Sequence, residues 1–398
     1  MTETQASAEH RAEPVRPVRL GMAGVNGYGG SLLDSIEAFG LELDVPLETA
    51  AVYEAFPERA PERLAALEAS GVRVYTEYDA MLADDAVDAV WLPVPIHLHL
   101  EMTRRALRAG KPVMCEKPAA GATADVDAMI GERDAAGLPV LIGFQEVYDP
   151  LTRVVKQRLM DGMLGTVRRV SVRACWPRDA SYFARSNWAG RREVEGRPVH
   201  DSPLANALAH FVNLSLLFAG VDRLDRAADP SDVRATLSRA NPIENFDTVT
   251  LACATDAGPE VMVWLTHASE QSISPVIRVD GDAGMLTRDL REVRIKRPGL
   301  ADEVWPVDGR NRRPMFTAFG CAVRGEPCAD SLLATLELAR PHTRLVDQLT
   351  ACEIQTVDAA GFVEQVQPNG AVLRCLPGIE ERFARAQETG EAPLADLW

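Results

Sequence analysis

Residues 18–30 read Val-Arg-Leu-Gly-Met-Ala-Gly-Val-Asn-Gly-Tyr-Gly-Gly, followed by Ser-Leu-Leu-Asp-Ser-Ile-Glu-Ala-Phe to residue 39. The apolar, β-branched run Val18–Val25 predicts a strand. Leu32, Leu33, Ile36 and Phe39 recur at helical spacing and predict a helix directly after it. A glycine-rich turn between a strand and a helix lets backbone N–H groups and the helix N-terminus approach a pyrophosphate. Against G-x-G-x-x-G, Gly24 and Gly29 match the outer glycines, Asn26 replaces the middle one and Gly27 follows it. Gly24, Asn26, Gly27, Tyr28 and Gly29 are therefore assigned to a dinucleotide; the competing reading is a tight turn with close helix packing.

Working outward, the alternation continues. Glu48–Glu54, Val72–Tyr75, Val87–Val94, Pro112–Cys115 and Val140–Phe144 read as further strands. Leu64 and Leu67, then Met102, Ala106 and Ala109, mark helices between them. Strand–helix alternation implies parallel strands joined by right-handed crossovers, so an α/β fold with an N-terminal Rossmann doubly wound sheet is expected. After Gly143-Phe144-Gln145 the pattern changes. Asp149-Pro150 starts a helix, then Val170, Val172, Ala174 and Trp176 alternate with Arg169, Ser171 and Arg173. Extended runs at Thr248–Ala254, Val261–Thr266, Val276–Val279 and Val293–Ile295 lack crossover helices and predict a large open, mainly antiparallel sheet in an α+β domain. The expected division is a disordered tail over 1–16, a Rossmann domain over 17–145 and a substrate-binding and oligomerisation domain over 146–398.

Composition narrows the partners. A formal net charge of −16 disfavours nucleic acid and anionic membranes. The seven cysteines are scattered without a C-x-x-C pair, which points away from a disulfide framework or zinc site and towards a reducing cytoplasm. No signal peptide and no membrane span are expected.

At the end of the second strand, the Glu54 carboxylate is positioned to accept hydrogen bonds from the adenosine ribose. Neither Ala55 nor Phe56 supplies a cation for a 2′-phosphate, which favours NAD over NADP, although Arg59 lies near in sequence. Pro93 and Pro95 force an extended turn at the carboxyl edge where the nicotinamide half crosses. His97 and His99 have no acidic partner at ligand spacing, so no metal is expected, and a capping or packing role suits His99. Glu116-Lys117-Pro118 places an ammonium at the carboxyl edge of the fifth strand, where it can hydrogen-bond a substrate hydroxyl while hydride leaves. A surface lysine before a turn-forming proline is the alternative.

Ser202 and Pro203 look like an N-cap and first-turn proline for a helix over Leu204–Phe218 ended by Gly220, with Asn206, His210 and Asn213 on one face. His210 can exchange the hydroxyl proton; a satisfied buried pair is the competing reading. Trp176, Arg178, Tyr182, Trp188 and Arg191 lie in the preceding loop, which either grips a sugar or acid or packs as a lid.

These residues resemble the glucose–fructose oxidoreductase / inositol dehydrogenase / rhizopine-catabolism (Gfo/Idh/MocA) family. The similarity is carried by His99-Leu-Glu101 with Ala109-Gly-Lys-Pro-Val-Met-Cys-Glu-Lys-Pro118, by Gly143-Phe-Gln145, by Trp176-Pro-Arg178, by Tyr182–Gly190 and by Asn206-Ala-Leu-Ala-His210. The resemblance implies that Lys117 and His210 are the catalytic pair, with Asn206 standing where the family often has aspartate. It places Pro95, His99, Glu116, Lys117 and Gln145 along the cofactor, and Lys117, Trp176, Arg178, Tyr182, Trp188, Asn206 and His210 around the substrate. It further implies a homodimer or homotetramer through the second sheet and substrates among sugars and cyclitols. The function expected is NAD-dependent oxidation of a secondary hydroxyl, or reduction of the ketone. A tight-NAD eliminase or epimerase and a non-catalytic NAD or sugar sensor are the alternatives.

Overall fold

The computed structural model describes residues 15–308, 312–328 and 330–394. Most of the tail expected over 1–16 lies outside the described residues; Arg16 pairs with Asp88 at 3.3 Å on the surface. The N-terminal sheet contains β1 (Val18–Ala23), β2 (Leu47–Tyr53), β3 (Arg73–Tyr75), β4 (Ala89–Leu92), β5 (Val113–Cys115) and β6 (Val140–Ile142). Its helices are α1 (Gly27–Phe39), α2 (Pro61–Ala69), α3 (Tyr78–Leu82), α4 (His99–Arg108) and α5 (Thr123–Ala136). All pairs are parallel and the order is β3-β2-β1-β4-β5-β6. The order reverses between β1 and β4, which opens a crevice at their carboxyl ends. β4, β5 and β6 are buried along their whole length, as strands covered on both faces require.

Beyond this sheet, α6 (Gln145–Tyr148) and α7 (Pro150–Met160) lead into β7 (Val167–Cys175), α8 (Ala180–Ala184) and a small hairpin of β8 (Glu193–Val194) and β9 (Arg197–Pro198). Next come α9 (Ala209–Ala219), β10 (Pro230–Arg239), β11 (Thr248–Thr255), β12 (Glu260–Thr266), β13 (Ile273–Gly281), β14 (Gly284–Arg288), β15 (Glu292–Lys296) and β16 (Glu303–Pro306). The chain continues through α10 (Arg312–Arg324), α11 (Leu336–Leu349), β17 (Ile354–Thr356), β18 (Val363–Val366), β19 (Val372–Cys375) and α12 (Ile379–Thr389).

The nine-stranded sheet runs β16-β15-β14-β13-β7-β12-β11-β10-β17. Its pairing is mainly antiparallel, as expected, but β7 with β12 and β10 with β17 are parallel. The central parallel pair arises because the long excursion through α9 returns the chain in the same sense. On one face Val170, Val172 and Ala174 of β7 join Val263, Leu265 and the α9 side chains in the main core.

The centre of the opposite face, expected to be solvated or available to a partner, is covered by the chain's own C-terminal segment. Ile379, Phe383 and Ala386 of α12 pack on Cys175, Ala252, Met262 and Trp264. Trp264 Nε1 donates to the Glu391 carbonyl at 3.1 Å and Arg173 Nε donates to Gln387 Oε1 at 2.9 Å. Burying Phe383 alone is worth roughly 2–3 kcal/mol. Among the described residues, no helix is long and apolar enough to cross a membrane.

Two late helices return to the first sheet and fix the crevice. Phe316 of α10 packs 4.6 Å from the Trp91 ring and 5.4 Å from Phe39. The Ala334 carbonyl, just before α11, accepts from Ile142 N at 2.8 Å. Elements from both halves of the chain therefore share one packed core.

Candidate active site

The glycine turn is shaped by backbone needs. Gly24 has φ +96° and Gly27 φ +54°, and a Cβ on Gly29 would meet the Gly24 carbonyl oxygen at 2.6 Å. Asn26 precedes α1 without a side-chain cap hydrogen bond, so the first N–H groups of the helix stand open beside exposed Asn26, Gly27 and Tyr28. These features fit a dinucleotide pyrophosphate, which needs close backbone approach and a free helix N-terminus. Glu54 is buried at the end of β2. Its Oε2 accepts from Val25 N at 3.2 Å and its Oε1 from Phe56 N at 3.1 Å. It thereby holds the glycine turn, and the remaining lone pairs can still accept ribose hydroxyls. Arg59 stacks 4.1 Å from the centroid of Phe56.

Tyr28 joins this turn to the chemistry. It is 37% exposed overall. Enclosure of its hydroxyl end, together with the nearby Glu116 carboxylate, raises its pKa, and Arg312 lies 5.1 Å from its ring.

Lys117 follows β5 at the carboxyl edge of the sheet. Its Nζ donates to Asn206 Oδ1 at 2.8 Å and to the Asn206 carbonyl at 3.0 Å. Burial lowers the Lys117 pKa, and the Glu116, Asp201 and Glu146 carboxylates oppose that fall. Two residues assigned to the cofactor face inward here. Glu116 accepts from Trp91 Nε1 at 3.2 Å and from Lys117 N at 3.3 Å, and burial raises its pKa. Its carboxyl occupies the space a Cβ on Gly143 would need, at 2.7 Å. His99 is buried, with Nδ1 2.9 Å from the Pro118 carbonyl and Nε2 2.9 Å from the Val94 carbonyl. It ties the turn after β4 to the turn after β5, in keeping with the packing role its spacing indicated. Pro95 sits half-buried in the turn after β4.

The helix expected over Leu204–Phe218 is in two pieces. Ser202 Oγ accepts from Ala205 N at 3.1 Å, the N-cap expected. A wide π turn then spans Pro203–Ala207, Leu208 breaks the regularity and α9 begins at Ala209. Single π turns occur often where a backbone carbonyl is diverted to a function; here the Asn206 carbonyl reaches Lys117. The shared face expected for Asn206, His210 and Asn213 is accordingly divided. Asn206 meets Lys117 on one side and Asp201 on the other, its Nδ2 donating to Asp201 Oδ1 at 2.8 Å. Asn213 is fully buried, and neither of its side-chain polar atoms has a hydrogen-bond partner.

His210 pairs with Glu146, not with Asn206. Nδ1 lies 2.8 Å from Glu146 Oε2, a close ion-pair contact set off the line of an ideal hydrogen bond. Burial works to raise the Glu146 carboxyl, but the close contact with His210 and the hydrogen bond from Gln145 outweigh it and hold the pKa at about 2. Gln145 contributes by donating to Glu146 Oε1 at 3.1 Å. With Nδ1 engaged, Nε2 is the nitrogen left to face a substrate. The base of α9 is held by Lys156 of α7, whose buried ammonium donates to the carbonyls of Leu217, Gly220 and Arg226.

The loop after β7 brings Trp176, Arg178, Tyr182 and Trp188 together through arginine–aromatic stacking, with Arg185 as the added member. Arg191 is exposed and lies outside this stack. The sequence reading missed Glu146, Asp201 and Arg185. Glu146 carried a usable signal, being a carboxylate one residue past Gln145 at the carboxyl edge. Asp201 directly precedes the N-cap Ser202. Arg185 had no signal beyond its loop.

With this geometry in place, comparison with known proteins is specific. Residues 18–144 match the model of the oxidoreductase family with the NAD-binding Rossmann fold, and residues 152–287 match the GFO/IDH/MocA C-terminal domain. The chain belongs to the Gfo/Idh/MocA family. Among its relatives, dTDP-3,4-didehydro-2,6-dideoxy-alpha-D-glucose 3-reductase of Streptomyces violaceoruber is 28% identical, covering 78% of this chain and 87% of that protein. Inositol 2-dehydrogenase of Rhizobium meliloti is 26% identical over 76% of this chain and 83% of that enzyme. The WlbA dehydrogenase of Bordetella pertussis, solved with NADH and UDP-GlcNAcA, superposes with a TM-score of 0.66 at 23% identity, covering 83% of this chain and 94% of that one. A 3-ketoreductase of Actinomadura kijaniata, solved with NADP, gives a TM-score of 0.67 at 21% identity, covering 86% and 100%. These structural likenesses share the fold.

Proposed function

We propose that the protein is an NAD-dependent oxidoreductase that oxidises a secondary hydroxyl of a sugar, cyclitol or derivative, or reduces the corresponding ketone. One observation carries the reading: Lys117 and the His210–Glu146 pair converge at the carboxyl edge of the nucleotide-binding sheet, linked through the Asn206 turn. Bound NAD supplies the hydride acceptor. The chain's own residues do the rest. His210, with Nδ1 held by Glu146, takes the hydroxyl proton at Nε2. Lys117, fixed by both oxygens of Asn206, directs its remaining N–H at the substrate oxygen and stabilises developing negative charge there. A lysine whose pKa is lowered by burial also suits a shared role in moving that proton.

The preference for NAD over NADP rests on Glu54, whose carboxylate repels a 2′-phosphate. Relatives act on a deoxysugar nucleotide and on inositol, which supports sugar-type substrates without choosing among them. A cytoplasmic location fits the reduced cysteines and the cofactor. The test is NADH formation at alkaline pH across aldoses, cyclitols, uronates, sugar phosphates and nucleotide sugars. NAD binding with no turnover of any of them refutes the dehydrogenase reading and favours a sensor.

A further inference from the structure

We propose that Arg178 and Arg185, stacked against Tyr182, form a subsite for an anionic group of the substrate, a carboxylate or a phosphate, so that this enzyme acts on charged sugars rather than neutral polyols. The inference rests on the oxidoreductase reading above and specifies its substrate class. The two guanidinium carbons lie 4.6 Å and 3.7 Å from the centroid of the same Tyr182 ring. Trp176 stands 5.8 Å from Arg178 and Trp188 stands 4.9 Å from Arg185 on the outer sides. Aromatic faces hold guanidinium groups flat and partly dehydrated; Arg185 Nη1 donates to the Tyr182 carbonyl at 2.7 Å, and the other N–H groups of its fork are directed away from that bond.

Counter-charge at this patch is scarce. Asp201 is the carboxylate near Arg185, 3.8 Å away, and it is committed elsewhere: Oδ2 accepts from Gly190 N at 2.7 Å and Oδ1 from Asn206 Nδ2 at 2.8 Å. Arg178 makes no ion pair among the described residues; its Nε is buried without an acceptor, while its side chain hydrogen-bonds the Tyr182 hydroxyl. His267, edge-on to Tyr182 at 5.8 Å, adds no negative charge. Its Nδ1 lies 2.8 Å from the Trp176 carbonyl, and burial, joined by the charges of the two arginines, pushes its pKa down to about 3. A guanidinium without a carboxylate partner can form a charge-assisted bond to an incoming carboxylate or phosphate oxygen.

The position suits a substrate handle. Arg185 contacts Asp201, Asp201 accepts from Asn206, and Asn206 accepts from Lys117. The reacting hydroxyl at Lys117 and His210 and the anionic group at the arginines thus sit at opposite ends of one bridged cleft.

The test measures binding to the NAD-loaded full chain by calorimetry, with glucuronate, glucose 6-phosphate and UDP-glucose against glucose and myo-inositol. At least one anionic probe is expected to bind ten times more tightly than its neutral parent. Arg178→Gln should cut that anionic-to-neutral preference by about 10- to 100-fold, the loss of a charge-assisted fork. Arg178→Lys, which keeps the charge, should retain part of it. Preference for glucuronate assigns a carboxylate; preference for glucose 6-phosphate or UDP-glucose assigns a phosphate. Neutral sugars binding as tightly as every anionic probe, failure of all three anions to bind, or a preference unchanged in a folded Arg178→Gln variant overturns the subsite. Anionic binding without NADH formation keeps the subsite and refutes the oxidoreductase reading. Turnover of neutral sugars without anionic preference does the reverse.

Discussion

Replacing Glu146 by Gln keeps the size and the hydrogen bond with Gln145 while removing the charge beside His210. In the folded protein the Glu146 pKa falls from 4.5 to about 2, so the fold favours the carboxylate over the acid by on the order of 3 kcal/mol. Burial opposes that preference, which arises from the contact with the His210 ring and the hydrogen bond from Gln145. If the part that belongs to His210 is lost when the ring takes the substrate proton, the barrier rises by up to the same amount, and on the order of 10²-fold in kcat is expected. The rate-against-pH curve should also move to lower pH, because an imidazolium without its carboxylate forms less readily. The assay is NADH formation from the best substrate between pH 5 and 10, with NAD affinity measured in parallel as a control for folding. The carboxylate also makes a signed contribution to stability. Its folded pKa is depressed, so the contribution is present above pH 4.5 and is lost as pH falls towards 2. The Gln variant should lack that acid-side loss in a chemical-denaturation series. A kcat within threefold of the wild type, with the same pH midpoint, would falsify the coupling of Glu146 to catalysis.

Three further outcomes follow from the same geometry. Lys117→Ala should lower kcat by about 10²–10⁴-fold with NAD affinity nearly intact, because the pyrophosphate contacts come from the glycine turn; a loss under tenfold removes Lys117 from the chemistry. Glu54→Ser should narrow the NAD/NADP preference and also weaken binding of both cofactors, since Val25 N and Phe56 N lose their acceptor; equal use of both cofactors by the wild type contradicts the position proposed for Glu54. Asn206→Asp should shift the pH–rate profile upward, because the negative charge it shares with Asp201 is then brought against Lys117 Nζ; an unmoved profile means that Lys117 does not titrate in the rate-limiting step.

The first sheet was legible because its signals are local. A β-branched run, a glycine turn and a helical repeat fall within some twenty residues, and the unit recurs. The parallel pairing of β7 with β12 was not legible, since nothing in either strand records which neighbour the chain selects after a long excursion. The cover over the outer sheet face was hidden for a similar reason: Phe383 and Trp264 meet only in the folded chain. In the site, Lys117 and His210 could be found from their short motifs. The Glu146 partnership could not, because it depends on α6 and α9 packing together. The π turn at Pro203–Ala207 was invisible to a 3.6-residue period, and it is the feature that separates Asn206 from His210.

The asparagine at 206 is better explained by its neighbours than as a lost acid. Its amide has one allowed orientation: Oδ1 faces the Lys117 ammonium and Nδ2 faces Asp201. The flipped amide would set N–H against ammonium and carbonyl against carboxylate. A carboxylate at the same place would lie 2.8 Å from Asp201, and two buried carboxylates so close share a proton instead of both ionising. Asp201 already has its pKa raised by burial, despite help from Gly190, Arg185, Asn206 and Lys117, so it would compete for that proton. Asparagine avoids the conflict while orienting both partners. Negative charge in the cleft is displaced by one residue in each direction, to Glu146 behind His210 and to Asp201 beside Arg185. The lysine's hydrogen-bond acceptors are left as neutral oxygens, and burial lowers its pKa against the opposing Glu116, Asp201 and Glu146 carboxylates, which eases the release of a proton.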